Sequence, residues 1–203
     1  MRLNKYLSDA GVCSRREADR LTVVPEEKKV YLAFNKPRGI VCTAEKREKN
    51  NVIDYLSYPV RIYPVGRLDK DSEGLLLMTN DGAIVNGIMR ARNRHEKEYQ
   101  VEVNKEITPE FLKKMASGVP ILDTVTRPCR IRKTGERSFT IILTQGLNRQ
   151  IRRMCEALGY RVTKLKRVRI MNIHLKDLKT GEYRPLTEKE LAELKKQIGE
   201  EKR

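Results

Sequence analysis

The sequence contains no tryptophan and only two histidines, and it has no long apolar run. A helix that spans a membrane needs about 20 consecutive apolar residues, and no segment of this chain approaches that length. No apolar segment follows residues 1–5, so the start of the chain does not resemble a secretory signal. We therefore expect a cytoplasmic protein without a membrane partner.

Ligands for a metal ion or a cofactor are equally scarce. The four cysteines form no C-x-x-C pair, which argues against a zinc site and a disulfide framework. His95 and His174 lie far apart in sequence, whereas metal sites need clustered ligands. The chain also lacks a glycine-rich phosphate-binding loop. We expect reduced thiols, no metal and no cofactor.

Positive charge is what the chain has in excess. It carries 43 Lys and Arg against 27 Asp and Glu, a formal net charge of +16. The segment from Arg127 to Arg169 alone holds 13 Lys and Arg and 2 acids. Such a balance indicates a polyanionic partner, most simply a nucleic acid.

Short strands and helices alternate irregularly along the chain, which predicts an α+β fold with a mixed, mainly antiparallel sheet. An apolar fraction of 39% in 203 residues suits one domain with a small appendage. The predicted strands lie at 30–34, 40–43, 75–79, 99–103, 128–133, 138–144, 162–166, 168–175 and 182–184. The predicted helices lie at 52–56, 83–90, 109–118, 148–158 and 187–198.

One carboxylate stands out. Asp69 lies among cations, directly after Gly66-Arg67-Leu68 and ahead of the apolar strand at 75–79. A lone acid in basic surroundings can act as a nucleophile or base on an anionic polymer. The alternative is a turn residue whose side chain caps backbone N–H groups. For the neighbouring Asp71 we expect solvation or pairing with Lys70 and Arg67.

The helix predicted at 148–158 carries the most concentrated positive charge. Its apolar face consists of Ile151, Met154, Cys155 and Leu158, with the arginines on the flanks. A tight turn at 145–147 would aim the helix N-terminus at an anion. Arg149 could then reach a phosphate, and Arg152 could reach inward to a carboxylate. The alternative is an ordinary solvated basic face.

Four segments, taken in order, resemble those of one family, the RsuA/RluB/RluE/RluF class of ribosomal RNA pseudouridine synthases. They are Asn35-Lys36-Pro37-Arg38-Gly39, Gly66-Arg67-Leu68-Asp69, Glu96-Lys97-Glu98-Tyr99 and Gly146-Leu147-Asn148-Arg149-Gln150-Ile151-Arg152-Arg153-Met154. The resemblance covers residues ~30–190, and an ordered set of motifs is far more specific than any one of them. The segments at 95–99, 118–122 and 169–172 are most similar to the RluF branch, which acts on large-subunit (23S) RNA.

The resemblance implies the pseudouridine synthase fold, with helices flanking the sheet and a central cleft. It implies that the protein isomerises a specific uridine, in a 23S stem-loop or alternatively in transfer RNA. That reaction needs no cofactor. We expect a monomer.

The resemblance also implies roles for five residues. Asp69 matches the catalytic aspartate, and Arg152 matches the basic residue that pairs with it. Tyr99 matches the tyrosine that stacks on the uracil and is a candidate for late proton abstraction. Arg67 would fill the space of the flipped base, and Leu165 would buttress the pocket. Whether Asp69 attacks C1′ or helps to remove a sugar proton stays open.

Further RNA contacts are expected from Asn148, Arg149, Lys36, Arg15 and Arg16. Lys36 is also read as a structural turn residue, with a phosphate contact as its functional interpretation. Arg15 and Arg16 belong to residues 1–21, which resemble the start of the alpha-L (S4-like) RNA-binding domain but lack the strands that complete it. Residues 1–21 are therefore interpreted as a remnant of that domain, or as one part of it with a segment missing, and 22–203 as the catalytic domain.

Two rival functions share the basic surface. A non-catalytic RNA-binding or ribosome-assembly factor could use the same fold, but it would not need Asp69. DNA binding is disfavoured because no helix-turn-helix signature is present.

Overall fold

The computed structural model describes residues 5, 8–11, 14, 28–45, 47–89 and 95–199. Arg15, Arg16 and most of the predicted remnant at 1–21 lie outside these residues, so the predictions about them stand as predictions. Within the described part, no helix is long and apolar enough to cross a membrane.

The described elements follow each other in an irregular order. The strands are β1 (Tyr31–Lys36), β2 (Tyr63–Pro64), β3 (Glu73–Thr79), β4 (Lys97–Val103), β5 (Pro120–Ile121), β6 (Thr124–Val125), β7 (Arg130–Gly135), β8 (Ser138–Leu143), β9 (Val162–Ile170), β10 (Ile173–His174) and β11 (Tyr183–Pro185). The helices are α1 (Val52–Leu56), α2 (Gly82–Met89), α3 (Pro109–Ser117), α4 (Gln150–Ala157) and α5 (Glu188–Gln197).

The main sheet has nine strands, and its central path runs β11-β1-β3-β9-β4-β8-β7. Among the described pairings of this sheet only β3 with β9 is parallel. This confirms the predicted α+β class and the mixed, mostly antiparallel sheet. Strands β5 and β6 form a separate small hairpin.

Strand β3 is buried on both faces, as its apolar sequence predicts. Leu75 and Leu77 face the core that α2 and α5 cover, whereas Leu76 and Met78 face the core that contains α1. A third core joins β4 and β8 to α3 and α4. Each part of the main sheet therefore packs against a hydrophobic core.

The two parts of the sheet meet where β3 runs parallel to β9 over two residue pairs, Glu73 with Lys166 and Gly74 with Arg167. Gly74 has φ 107°, and a Cβ at this position would lie 2.2 Å from the Arg167 carbonyl oxygen. Only glycine allows this backbone approach. The junction lies directly after the segment that contains Asp69.

Two sequence predictions of secondary structure are wrong, and one element was missed. Residues 40–43 do not return as a strand, because β1 is already paired on one side with β3 and on the other with β11. The two strands predicted from 162 to 175 are mainly one, β9, which runs through Arg167 to Ile170. The hairpin of β5 and β6 was not predicted.

Candidate active site

A cleft of about 610 Å³ opens beside the junction of β3 and β9. It is lined by six of the residues that the sequence analysis singled out: Arg67, Asp69, Tyr99, Asn148, Arg149 and Leu165. These residues come from segments far apart in the chain. The fold therefore brings the predicted site together, apart from Lys36 and Arg152, which do not line the cleft.

Asp69 begins a tight turn that leads into β3. The Ser72 N–H donates to the Asp69 carbonyl at 3.0 Å, which closes the turn at 69–72. Lys36 Nζ donates to the Ser72 carbonyl at 2.9 Å, and the Gly39 N–H donates to the Lys70 carbonyl at 2.7 Å. The backbone of the turn is thus fixed, while the Asp69 side chain remains 35% exposed on the cleft.

Two arginines of α4 and its N-cap reach this turn. Arg149 Nη1 and Nη2 donate to Asp71 Oδ1 and Oδ2 at 3.1 and 3.3 Å. Arg149 Nη1 also lies 3.9 Å from Asp69 Oδ2. Arg152 Nη2 lies 3.1 Å from the Asp71 carbonyl, 3.3 Å from Ser72 Oγ and 3.4 Å from Asp71 Oδ2. We call Asp69, Asp71, Arg149 and Arg152 the cleft network.

The structure corrects two expected ion pairs. Arg152 pairs with Asp71 rather than with Asp69, and Asp71 pairs with Arg149 and Arg152 rather than with Lys70 or Arg67. The Arg152 side chain is only 9% exposed and is held under the turn, whereas Arg149 is 40% exposed and reaches the open side. Arg152 does reach inward to a carboxylate, as predicted, but to the other one. The guanidinium that contacts Asp69 belongs to Arg149.

The charges of this network shift pKa values in definite directions. Burial alone would raise the pKa of the Asp71 carboxyl, but hydrogen bonds from Arg149 and the charge of Arg152 outweigh it and lower that pKa. The hydrogen bond with Asp71 raises the pKa of Arg149. Burial lowers the pKa of Arg152, and the charges of Asp71 and Asp69 oppose this effect. Asp71 and both guanidinium groups are therefore charged at neutral pH.

The burial of Lys36 argues against the predicted phosphate contact, and Lys36 is the last residue of β1 rather than a turn residue, although its role is structural as expected. The Lys36 residue is 0% exposed, and its Nζ donates to the carbonyls of Pro37 and Ser72 at 2.8 and 2.9 Å. Burial lowers the pKa of the ammonium group, and the negative charges of Asp69 and Asp71 partly offset this. Lys36 thus holds the turn from within the protein.

Tyr99 and Leu165 lie on neighbouring strands of the opposite wall. Tyr99 follows an irregularity in the pairing of β4 with β9, between Glu98 and Tyr99. Such bulges redirect side chains, and they are common beside active sites. Tyr99 lines the cleft and packs against two of the cores, while Leu165 is buried at the cleft wall. The pair offers an aromatic face and an apolar support.

Arg167 and Lys97 are among the cleft residues to which the sequence analysis gave no role. Arg167 is only 3% exposed; its Nε donates to the Leu75 carbonyl at 2.7 Å and its Nη1 to the Arg67 carbonyl at 3.4 Å. It therefore holds the chain on both sides of Asp69. Lys97 lines the cleft two residues before Tyr99, and burial lowers the pKa of its ammonium group. The period of two along a strand could have placed Lys97 on the Tyr99 face.

The remaining predicted contacts are on the open rim. Arg67 and Asn148 are both exposed, and Asn148 Oδ1 accepts a hydrogen bond from Arg153 Nη2 at 3.2 Å. Among the described residues no cluster of three or more His, Cys, Asp or Glu side chains is suited to a metal ion. The chemistry available in this cleft is that of one carboxylate, several cations and an aromatic ring.

Comparison with known proteins agrees with the fold. Residues 30–157 match the model of the RNA pseudouridylate synthase family. The chain belongs to that family and is an RNA pseudouridine synthase, an isomerase that acts on uridine in RNA.

Individual relatives narrow the class. The chain is 48% identical over 229 residues to the dual-specificity RNA pseudouridine synthase RluF of Salmonella typhi, covering 97% of this chain and 79% of that protein. It is 33% identical to ribosomal large subunit pseudouridine synthase B of Bacillus subtilis, covering 96% of this chain and 95% of that one. A crystal structure of a pseudouridylate synthase superimposes with a TM-score of 0.77 at 26% identity, covering 96% and 99% of the two chains.

Proposed function

We propose that this enzyme converts one uridine of a large-subunit (23S) ribosomal RNA stem-loop into pseudouridine, acting as a monomer in the cytoplasm. The observation that carries the proposal is Asp69, exposed on the cleft, with a guanidinium on one side and Tyr99 on the other wall. A protein that only binds RNA has no use for a carboxylate in a basic cleft.

The reaction is an isomerisation without a group donor. The N1–C1′ bond breaks, the uracil turns, C5 bonds to C1′, and the proton lost from C5 is balanced by a proton gained at N1. The target nucleotide must leave its helix to reach a cleft of this kind. The positive charge along the cleft favours the RNA backbone around it.

Asp69 acts on the sugar. Breaking the glycosidic bond builds positive charge at C1′, and a carboxylate beside C1′ can stabilise this charge or bond to it. The other route uses the carboxylate to help remove a sugar proton and form a glycal. Both routes use the Asp69 carboxylate, and the guanidinium of Arg149 lies 3.9 Å from its Oδ2.

The other residues hold the nucleotide. Tyr99 provides the stacking face for the uracil and is the candidate for late removal of the C5 proton. Leu165 supports the base from behind, and Arg67 fills the space that the base leaves. Arg149 and Asn148, which line the cleft, contact the RNA backbone in this proposal.

The choice of RNA rests on similarity. Relatives named as RluF and as ribosomal large subunit pseudouridine synthase B align with this chain over nearly its full length. The first of these names states dual specificity. Transfer RNA, the alternative from the sequence analysis, is the second substrate class to test. The predicted alpha-L remnant at 1–21, with Arg15 and Arg16, is proposed as an additional RNA contact.

The test uses unmodified transcripts of 23S ribosomal RNA and of transfer RNAs, with pseudouridine mapped by chemical labelling and primer extension. The wild-type enzyme should modify one uridine in a 23S stem-loop. Asp69→Asn should bind the same RNA within about twofold and form no product, a loss of at least about 1,000-fold. Asp177→Asn, in an exposed turn, is the matched control and should behave as wild type.

Two results would contradict the proposal. If the wild type modifies no RNA of either class, the enzyme assignment fails for these substrates. If Asp69→Asn retains activity, the catalytic carboxylate lies elsewhere. Sedimentation of the RNA-free enzyme checks the monomer.

A further inference from the structure

Asp71 lies two residues after Asp69 on the same turn and has no role in the scheme above, yet its contacts are the strongest in the cleft network. Its carboxylate accepts hydrogen bonds from both terminal nitrogens of Arg149, at 3.1 and 3.3 Å. Asp71 Oδ2 also lies 3.4 Å from Arg152 Nη2. A forked arginine–carboxylate pair fixes orientation as well as distance. Asp71 therefore determines where the Arg149 guanidinium lies.

The backbone of Arg149 shows that this orientation is imposed. Arg149 is the N-cap of α4, with φ 49° and ψ 35°, and its side chain makes no capping hydrogen bond. A left-handed conformation is unfavourable for a residue with a Cβ, and strained residues cluster at functional sites. The side chain that this conformation projects over the turn is bound by Asp71.

The distance between Arg149 and Asp69 gives this arrangement a consequence. At 3.9 Å, Nη1 is too far from Asp69 Oδ2 for a hydrogen bond but close enough to act through its charge. Because the fork is occupied by Asp71, it cannot cover the Asp69 oxygens. These oxygens stay open to the sugar while a positive charge remains beside them.

We propose that Asp71 is a positioning residue that holds Arg149 beside Asp69 but off its oxygens. Without the Asp71 carboxylate, the guanidinium would close on Asp69 as a forked pair and cover the oxygens that act on the sugar. The inference rests on the proposed function of Asp69. It assigns to Asp71 an effect on rate that passes through Arg149.

The first test is a double-mutant cycle at saturating RNA. Asp71→Asn should lower the single-turnover rate about tenfold while the Kd for RNA stays within about twofold. In an Arg149→Gln background the same substitution should change the rate less than about twofold, because no guanidinium remains to move. Asp71→Glu, which keeps the charge, should recover part of the rate. Asp177→Asn is the matched control for a carboxylate-to-amide change.

The second test does not depend on turnover. A crystal structure of Asp71→Asn should show both terminal nitrogens of Arg149 within about 3 Å of the Asp69 oxygens. An Arg149 side chain that stays in place, a wild-type rate for Asp71→Asn, or an equal loss in both backgrounds would overturn the inference. These outcomes are distinct from failure of the proposed function, in which the wild type itself forms no pseudouridine.

If Asp71→Asn does not fold, Asp71→Glu carries the same tests. A longer side chain should shift the Arg149 guanidinium relative to Asp69 and change the rate without changing the Kd. An unchanged rate together with a displaced Arg149 would contradict the proposal.

Discussion

The cleft network and the ion pair of Arg184 with Glu190 both join arginines to carboxylates. They differ in how many hydrogen bonds each carboxylate accepts from the protein. Glu190 Oε2 accepts from Arg184 Nη1 at 2.7 Å and from the Thr187 N–H at 3.0 Å, while Oε1 accepts from Arg184 Nη2 at 2.8 Å. The hydrogen bonds from Arg184 lower the pKa of Glu190 to about 2. This carboxylate has its partners within the protein.

Among the described residues, Asp69 has no set of hydrogen-bond donors comparable to that of Glu190. Its contact in the cleft network is the 3.9 Å approach of Arg149, and its side chain is one-third exposed. The comparison teaches that a pair which anchors a helix uses its hydrogen-bonding capacity internally, whereas the cleft keeps some for a substrate.

Among the variants that test this comparison, the largest effect should come from Arg152→Met, which removes the guanidinium that contacts the turn but keeps an unbranched apolar side chain in place of the aliphatic part of Arg152. It leaves the Asp71 carbonyl and Ser72 Oγ without this donor, so the turn that carries Asp69 loses its support. We expect a fall of about 100-fold in single-turnover rate with RNA affinity within about threefold. Arg153→Met is the control, because Arg153 bonds Asn148 rather than the turn, and it should keep its rate at saturating RNA. Equal rates for the two variants would break the comparison.

Lys36→Met tests the same turn from β1. Two carbonyls would lose their buried donor, and each unsatisfied buried group costs about 1–3 kcal/mol. We expect the free energy of unfolding to fall by about 2–3 kcal/mol in urea denaturation. Lys114→Met, at a lysine that is 58% exposed in an i,i+4 pair, should change stability by less than about 0.5 kcal/mol. Similar values for the two lysines would contradict the structural role of Lys36.

Glu190→Gln should cost stability rather than activity, about 1–2 kcal/mol, because it breaks the forked pair and weakens the cap of α5. The folded-state pKa of Glu190 is depressed, so its contribution is present above the unfolded-state value near pH 4.5. It is lost as pH falls from there through about 2. Denaturation curves should therefore show wild type and variant converging over that range. A difference that is constant with pH would refute the assignment.

Tyr99→Phe should have the smallest effect. It keeps the aromatic face and removes the hydroxyl, so RNA affinity should stay within about twofold while product formation slows about fivefold. Tyr99→Ala, which also removes the stacking surface, should be slower by about another tenfold. If Phe and Ala variants lose the same activity, the hydroxyl carries the whole role of Tyr99.

The sequence allowed the fold class, the location of the cleft and six of its lining residues to be predicted, because periodicity indicates the elements and ordered motifs indicate which segments converge. It did not allow the ion pairs to be assigned. The spacing of Arg149 and Arg152 on one helix defines their face, but not which of two carboxylates on a distant turn each reaches. That depends on the depth at which α4 packs.

Lys36 and the segment at 40–43 failed for a related reason. Lysine is almost never fully buried unless it is paired, and here one of its partners is a carbonyl 36 residues away. The apolar segment at 40–43 has the composition of a strand, but both edges of β1 are taken by β3 and β11. Contacts with residues that are distant in the chain cannot be read from the local sequence pattern.

The junction at Gly74 has a consequence for every nucleoside that enters the cleft. The turn of Asp69 leads into β3, and Tyr99 lies opposite Arg167 across β4 and β9. The distance between the acid and the ring is therefore set by how closely two backbones touch at one glycine. Any side chain introduced at position 74 would push β3 away from β9. The distance between Asp69 and Tyr99 would then increase. Gly74 thus determines the size of the nucleoside that fits between Asp69 and Tyr99.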